Sequence, residues 1–307
     1  MKNKLAIVIP YYKIEFFKET LESLNAQTDK NFNLYIGNDK SPDDPVELIR
    51  KYQNIITKYI RFDTNLGGKH LAKQWERCID ALTEDEEWVM LLCDDDTISE
   101  NYVEKFYENL PFAENNAISL IKYRCKVIDE QNNILKESIV YPKIQKSTDF
   151  FDNLFYNIGF SSLSENIFRK EKYQKYGFQD VELAYGSDAI AVLEFSEFQN
   201  ILFVNDAFMY FRDSEFNISS NRNKTDLRLR KMRGNTQYMT YLLRKYSNKF
   251  EYNAKVNMCK KLYACFRVVY RTNFIKNMYY FTVLFRNLKF RDFLRMCFTK
   301  GKFYQSR

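Results

Sequence analysis

Runs of β-forming residues alternate with helix-patterned segments through the first hundred positions, and no other feature restricts the possible fold as much. LAIVIP (5–10), FNLYIGND (32–39) and WVMLL (88–92) read as strands, with 60–62 as a shorter one. Between them, residues 15–27, 46 to about 59 and 69–82 space their apolar residues for helices. In the last of these, Leu71, Trp75, Cys78, Ile79 and Leu82 share a face. This alternation predicts an α/β fold: a Rossmann-like, mostly parallel, doubly wound sheet flanked by helices. Ligands of such sheets bind beyond the carboxyl ends of the strands, so chemistry is expected where these strands stop.

Beyond Thr97 the pattern loosens, with strands expected near 117–128 and 201–211 and a helix over 188–198. From Thr225 the chain turns helical, basic and aromatic. Residues 222–307 hold 22 of the 47 basic residues and three of the 40 acidic ones, an excess of 19 positive charges. The rest carries 25 basic and 37 acidic residues. The expected division is an α/β domain over 1–221, with parts 1–98 and 99–221, and a helical C-terminal region over 222–307. Its charge points to an anionic counterpart. Ile275, Met278, Phe281, Phe285 and Leu288 form an apolar stripe among Arg and Lys, which suits an anionic membrane surface. A helical subdomain with a basic outer face is an equally good account. Nucleic acid is disfavoured, since no nucleic-acid motif is present. No uncharged run reaches the roughly 18 residues of a membrane span. Six cysteines without CxxC spacing argue against disulfides and structural zinc and fit a cytoplasmic compartment, with the basic region peripheral to the inner membrane face.

The strand 88–92 runs into Asp94, Asp95 and Asp96. Adjacent carboxylates repel, and without a cation one must take up a proton or turn to solvent. A divalent cation, Mn2+ or Mg2+, relieves the clash, because such ions take one or two carboxylates together with substrate phosphate oxygens. An alternative stays open: Thr97-Ile98-Ser99-Glu100 reads as a capping box, and the aspartates would then face the positive end of the next helix. Other polar segments are less decisive alone. Asn38 and Asp39 suit an Asx turn, and Asn65-Leu66-Gly67-Gly68 suits a loop needing positive φ. Lys69 and Lys73 suit a solvated helix face. His70, the only histidine, has no evident acid partner and reads as a surface or packing residue.

Taken in order, these segments resemble glycosyltransferase family 2, whose fold is GT-A. LAIVIPYYK is similar to the family's first strand with its Ile-Pro-x-Tyr/Phe ending, and CDDDT to its metal-binding DxD element. IGNDKSPDD (36–44) is similar to its Asp-Asp-Gly-Ser-Thr-Asp turn, and NLGGKHLAK (65–73) to its Asn-x-Gly segment leading into a helix. The resemblance covers roughly residues 4–220. It implies an inverting, metal-dependent hexosyltransferase that moves a sugar from a nucleotide-diphosphate donor, a UDP-sugar ahead of a GDP-sugar, to a saccharide or lipid-linked saccharide in surface polysaccharide assembly. It also implies donor contacts at Pro10, Tyr12, Asp39, Asn65, Gly67, Lys73, Asp94 and Asp95, and a metal held by Asp94 and Asp96.

Inverting transfer needs a carboxylate to take the acceptor hydroxyl proton. The family places it in an acid pair opening a helix, and IFRKEKYQKYGFQDVELAYGSDAIAVLEF (167–195) matches that layout, with Asp188 as the base and Ser187 replacing the first acid. Asp180 and Glu182 compete; Asp188 is favoured because the apolar helix starts directly behind it, and Ser187 or Asp188 can also cap that helix. In YFRDSEFNIS (210–219) Ser214 stands where the family often has a metal-binding His. Arg212 can approach a diphosphate or form a surface ion pair. Two rivals are a nucleotidyltransferase, whose Gly-rich basic signature is missing after Pro10, and a non-catalytic membrane or nucleic-acid binding protein on a transferase scaffold.

Overall fold

The computed structural model describes residues 3–159, 161–217 and 225–298. Strand β1 (Leu5–Tyr11) is almost uniformly apolar because both its faces and both its edges are covered. On one edge it pairs in parallel with β2 (Phe32–Asn38), from Leu5↔Phe32 to Tyr11↔Asn38. On the other it pairs in parallel with β4 (Trp88–Leu91), from Leu5↔Trp88 to Val8↔Leu91. Leu5, Ile7, Ile9 and Tyr11 face a core closed by α1 (Phe17–Asn25) and α4 (Tyr102–Asn115). Ala6 and Val8 face a second core, closed by Ala72, Trp75, Cys78, Ile79 and Leu82 of α3 (Leu71–Leu82). The apolar helix face legible in the sequence is the face that packs.

The sheet runs β3-β2-β1-β4-β9-β6-β10-β5. Strand β3 (Ile56–Arg61) extends the parallel half beside β2. Strand β9 (Asn166–Arg169) then lies antiparallel to both β4 and β6 (Leu120–Ile128), which inverts the chain direction just beyond the aspartates. Strand β10 (Asn200–Arg212) runs parallel to β6, while the short β5 (Thr97–Ile98) and β8 (Ile144–Lys146) pair antiparallel with it. Strand β7 (Ile134–Glu137) borders β6.

Two local expectations need correction. The helix expected over 46–59 stops early as α2 (Val46–Lys51), and the third strand starts at Ile56 rather than Ile60. The β-branched run Ile55-Ile56-Thr57 favours extension, and β2 offers it a free edge at Leu34↔Ile56. Thr97-Ile98-Ser99-Glu100 is not a capping box: Thr97 and Ile98 form β5, and α4 begins only at Tyr102. The aspartates thus lie in a turn between strands and not on a helix N-terminus. On α10 (Phe274–Asn287) the stripe of Ile275, Met278 and Phe285 faces solvent, and the opposite face, with Tyr280, Val283 and Leu284, packs inward.

The basic region folds as α8 (Thr225–Lys245), α9 (Tyr252–Val269), α10 and α11 (Phe290–Phe298). Their core reaches into the α/β part through α7 (Ser187–Phe195), which follows α5 (Ser147–Leu154) and α6 (Lys170–Tyr176). Ala191, Val192 and Phe195 of α7 belong to the second sheet core, whereas Ala189, Ile190 and Leu193 pack with Met239, Leu242, Met258 and Leu262. A helix apolar all round has two faces to bury. No described helix is long and apolar enough to cross a membrane.

Candidate active site

Where β4 stops, the chain turns through Cys93, Asp94, Asp95 and Asp96, and each carboxylate meets a different partner. Asp94 Oδ2 accepts the backbone N–H groups of Tyr12 and Lys13 at 2.6 and 2.7 Å. These amides lie past the last β1–β4 pair, where no strand offers a carbonyl. Asp95 Oδ2 pairs with the Lys13 ammonium at 2.5 Å. Asp96 Oδ2 accepts from the Ser164 hydroxyl at 2.7 Å, and its Oδ1 from the Arg212 N–H at 3.1 Å. Burial and the neighbouring Asp95 charge push the Asp94 carboxyl up to about 6 and that of Asp96 up to about 8.

Cys93, Asp95 and Asp96 each offer one ligand atom within 4.8 Å of the others. Burial holds the Cys93 thiol well above its ordinary range, and hard divalent cations prefer oxygen, so the carboxylate oxygens are the favoured donors. Two buried carboxylates with excess negative charge suit Mg2+ or Mn2+. The pairing differs from the expected one: Asp96 groups with Asp95, because Asp94 is turned back to hold the end of β1. Arg212 does not sit at the surface. It is fully buried, donates Nε to the Asp95 carbonyl at 3.0 Å and Nη1 to the Asp129 carbonyl at 3.1 Å, pairs with Glu19, and lies 4.3 Å over the Phe16 ring. Ser214 donates to Asn217 Oδ1 at 3.1 Å.

On the other side of β1, Asp39 organises the glycine turn. Its Oδ1 accepts the Leu66 N–H at 2.7 Å and its Oδ2 the Gly67 N–H at 2.8 Å. A β-carbon on Gly67 would stand 2.7 Å from Asp39 Oδ2, so the glycine is required for space, not for positive φ. Asn65 closes the turn by accepting the Gly68 N–H at 2.8 Å. Asn38 makes the expected Asx turn to the Ser41 N–H at 2.8 Å, and Ser41 donates to the Tyr12 carbonyl at 2.6 Å. Pro10 pairs with Gly37 at the end of β1, and Tyr12 is exposed beside it. Lys73 turns to Glu76, 2.7 Å away, on the solvent side of α3; the cation that reaches the site is Arg77, one turn on, 2.6 Å from Asp39 Oδ1.

The three candidate bases separate clearly. Asp180 is bound to His70 Nδ1 at 2.6 Å, which also supplies the acid partner His70 seemed to lack in sequence. Glu182 is bound to Arg230 Nε at 2.6 Å. Asp188, half-buried in the first turn of α7, carries no salt bridge to any described residue; its carboxylate accepts from the Ser161 hydroxyl at 3.3 Å and faces the backbone N–H groups that open the helix. Burial raises its pKa, opposed by the Lys122 charge. Ser187 does not cap α7 but donates to the Gln179 carbonyl at 2.5 Å. The segment 161–165 ties the halves together, since Ser161 bonds Asp188 and Ser164 bonds Asp96. Three residues of extended chain span about 10 Å, so both carboxylates belong to one neighbourhood.

The family model for "Glycosyl transferase family 2" matches residues 6–177, more than half of the chain. The chain belongs to glycosyltransferase family 2. No curated protein matches it at a significant level. Among solved structures it is similar to residues 1–349 of S. aureus TarS in complex with UDP-GlcNAc, at 16% identity and a TM-score of 0.63, covering 95% of this chain and 81% of that one. It is also similar to mannosyltransferase PcManGT from Pyrobaculum calidifontis in complex with GDP-Man and Mn2+, at 11% identity and a TM-score of 0.58, covering 97% and 79%. These likenesses establish the GT-A fold.

For this family 2 glycosyltransferase, sequence reasoning overlooked Lys13, Arg77, Ser161 and Ser164. Lys13 ends the very LAIVIPYYK motif that was read, and Arg77 lies four positions after Lys73 on the same helix face. The two serines carry no local signal, because β9 brings them to the site by long-range antiparallel pairing.

Proposed function

We propose that this glycosyltransferase moves a sugar, with inversion, from a nucleotide-diphosphate sugar to a hydroxyl of a saccharide acceptor. The observation that carries the reading is the bridge through 161–165, which joins an acid with no salt bridge to any described residue to a buried, metal-competent carboxylate pair. Asp95 and Asp96 would hold Mn2+ or Mg2+, and Asp94 fixes the end of β1 beneath them. When bound, the ion would neutralise the diphosphate and the charge developing on the leaving nucleotide. The Asp39-ordered turn with Asn65, Gly67 and Arg77, together with Pro10 and Tyr12, forms the donor wall. Asp188 takes the acceptor hydroxyl proton as that oxygen bonds to the anomeric carbon, opposite the departing nucleoside diphosphate. A UDP-sugar is the favoured donor, in keeping with the UDP-GlcNAc bound by TarS.

The acceptor side of the proposal is a lipid-linked saccharide met at an anionic cytoplasmic membrane face during surface polysaccharide assembly. Supporting it, Phe274 and Ile275 are 75% and 80% exposed on α10, and Phe290 on α11 is 65% exposed. Lys276, Arg286 and Arg291 are exposed around them. Calorimetric titration with UDP and GDP, each with Mn2+ and with excess chelator, tests the donor site. Mn2+-dependent binding of UDP is expected; binding of neither nucleotide would overturn the reading.

A further inference from the structure

The approach to Asp188 is conformationally unusual. Leu183, Ala184 and Gly186 have φ of +59°, +51° and +99°, and the first two carry a β-carbon in the sparsely populated left-handed region. Such a loop persists only when its surroundings over-determine it; α3 and the second sheet core meet one side of it, and one face of α8 in the basic region supplies the other. Arg230 Nε pairs with Glu182 Oε1 at 2.6 Å. Gln237 Oε1 accepts the Glu182 N–H at 2.6 Å. Gly234 lets the backbones meet, since a β-carbon there would stand 2.6 Å from the Glu182 carbonyl oxygen and 3.0 Å from Tyr185 Cβ. The Tyr238 ring fills the space beside Gly186, where a β-carbon would come within 2.6–2.9 Å of it. Positions 230, 234, 237 and 238 fall at i, i+4, i+7 and i+8, which is a single helix face.

We propose that this face of α8 is a clamp whose residues Arg230, Gly234, Gln237 and Tyr238 position the base. It holds 182–186 in its left-handed path and so aims Asp188 at the acceptor hydroxyl. The basic helical region is then required for turnover as well as for any location it confers. The inference rests on the reading of Asp188 as the base. The four clamp residues are positioning residues that act through the loop.

Two readouts on the full chain test it. The first is hydrogen–deuterium exchange of 180–190, which needs no substrate. The second is nucleotide release from UDP-GlcNAc and GDP-mannose with Mn2+, resolved into kcat and donor KM. In Arg230→Ala and Gln237→Ala, exchange of 182–187 is expected to rise at least tenfold while α9 exchange and Tm stay unchanged. The kcat should fall at least tenfold at constant donor KM, and Arg230→Lys should restore most of both. Gly234→Ala should act in the same direction; if it fails to fold, the first two variants, which only trim polar side chains, keep the test intact. Unchanged exchange, or a kcat within twofold of wild type beside an inactive Asp188→Asn, overturns the clamp alone. A loss of kcat, donor affinity and Tm together also overturns it, because that is a structural effect. An active Asp188→Asn instead overturns the assignment of the base, and with it the reading of the site.

Discussion

Asp94, Asp95 and Asp96 carry the same side chain and do three different things, and the difference lies in which atom each finds. Asp94 takes stray amides, Asp95 takes an ammonium, and Asp96 takes a hydroxyl and an amide. That three adjacent acids form a cluster suited to a cation was legible from their spacing. Which two converge was not, because the choice depends on how β1 ends. Asp96→Ala is expected to abolish Mn2+-dependent nucleotide binding, read by calorimetry, with the far-UV circular dichroism of wild type. Lys13→Met removes the ammonium that, among the described residues, pairs with Asp95, and leaving a mostly buried charge unpaired costs about 1–3 kcal/mol. The Tm should fall without divalent ions and recover in Mn2+; a drop unaffected by Mn2+ would contradict the grouping of Asp95 with Asp96. Gly67→Ala must push Asp39 aside, and a weakening of nucleotide affinity by tenfold or more is the expected outcome of the titration.

Among the elements, α7 was the easiest to read and the hardest to place. Its sequence, SDAIAVLEF, announces a buried helix, yet nothing in it says that the two buried faces belong to different cores. The failure at α2 has the opposite cause: 46–59 keeps a helical pattern while the free edge of β2 draws 56–61 into the sheet. Just after α7, Glu197 binds Lys172 and Lys175 and the Tyr176 hydroxyl of α6. The lysine bonds hold its carboxyl down at about 2. A depressed carboxyl pKa stabilises the fold above the unfolded-state value of about 4.3, and that contribution disappears as pH falls towards 2. Because the cluster is partly exposed, Glu197→Gln should cost no more than about 1 kcal/mol at pH 7. Urea unfolding at pH 7, 4 and 2.5 should show the gap between variant and wild type closing; a constant gap would mean that the charge is not its source.

For the whole molecule, the charge asymmetry was plain in the composition, and its geometry was not. The apolar stripe of α10 divides: Ile275, Met278 and Phe285 face outward, while Phe281 and Leu288 pack with Tyr280, Val283 and Leu284 against the helical core. Replacing Phe274, Ile275 and Phe285 together by Ser should leave Tm unchanged and reduce co-sedimentation with vesicles containing phosphatidylglycerol at least fivefold. Wild-type binding should weaken as salt rises, and equal binding to neutral vesicles would remove the electrostatic part of the account. The double allegiance of α7 has a further result. Each core needs this helix to close, so the α/β part and the basic helices should unfold in a single transition. Recombination cannot graft this C-terminal region onto another catalytic core, or replace it, without re-cutting the helix both sides share. Divergence of the C-terminal region is thereby channelled into point changes, and exchange of whole cassettes is closed off as a route.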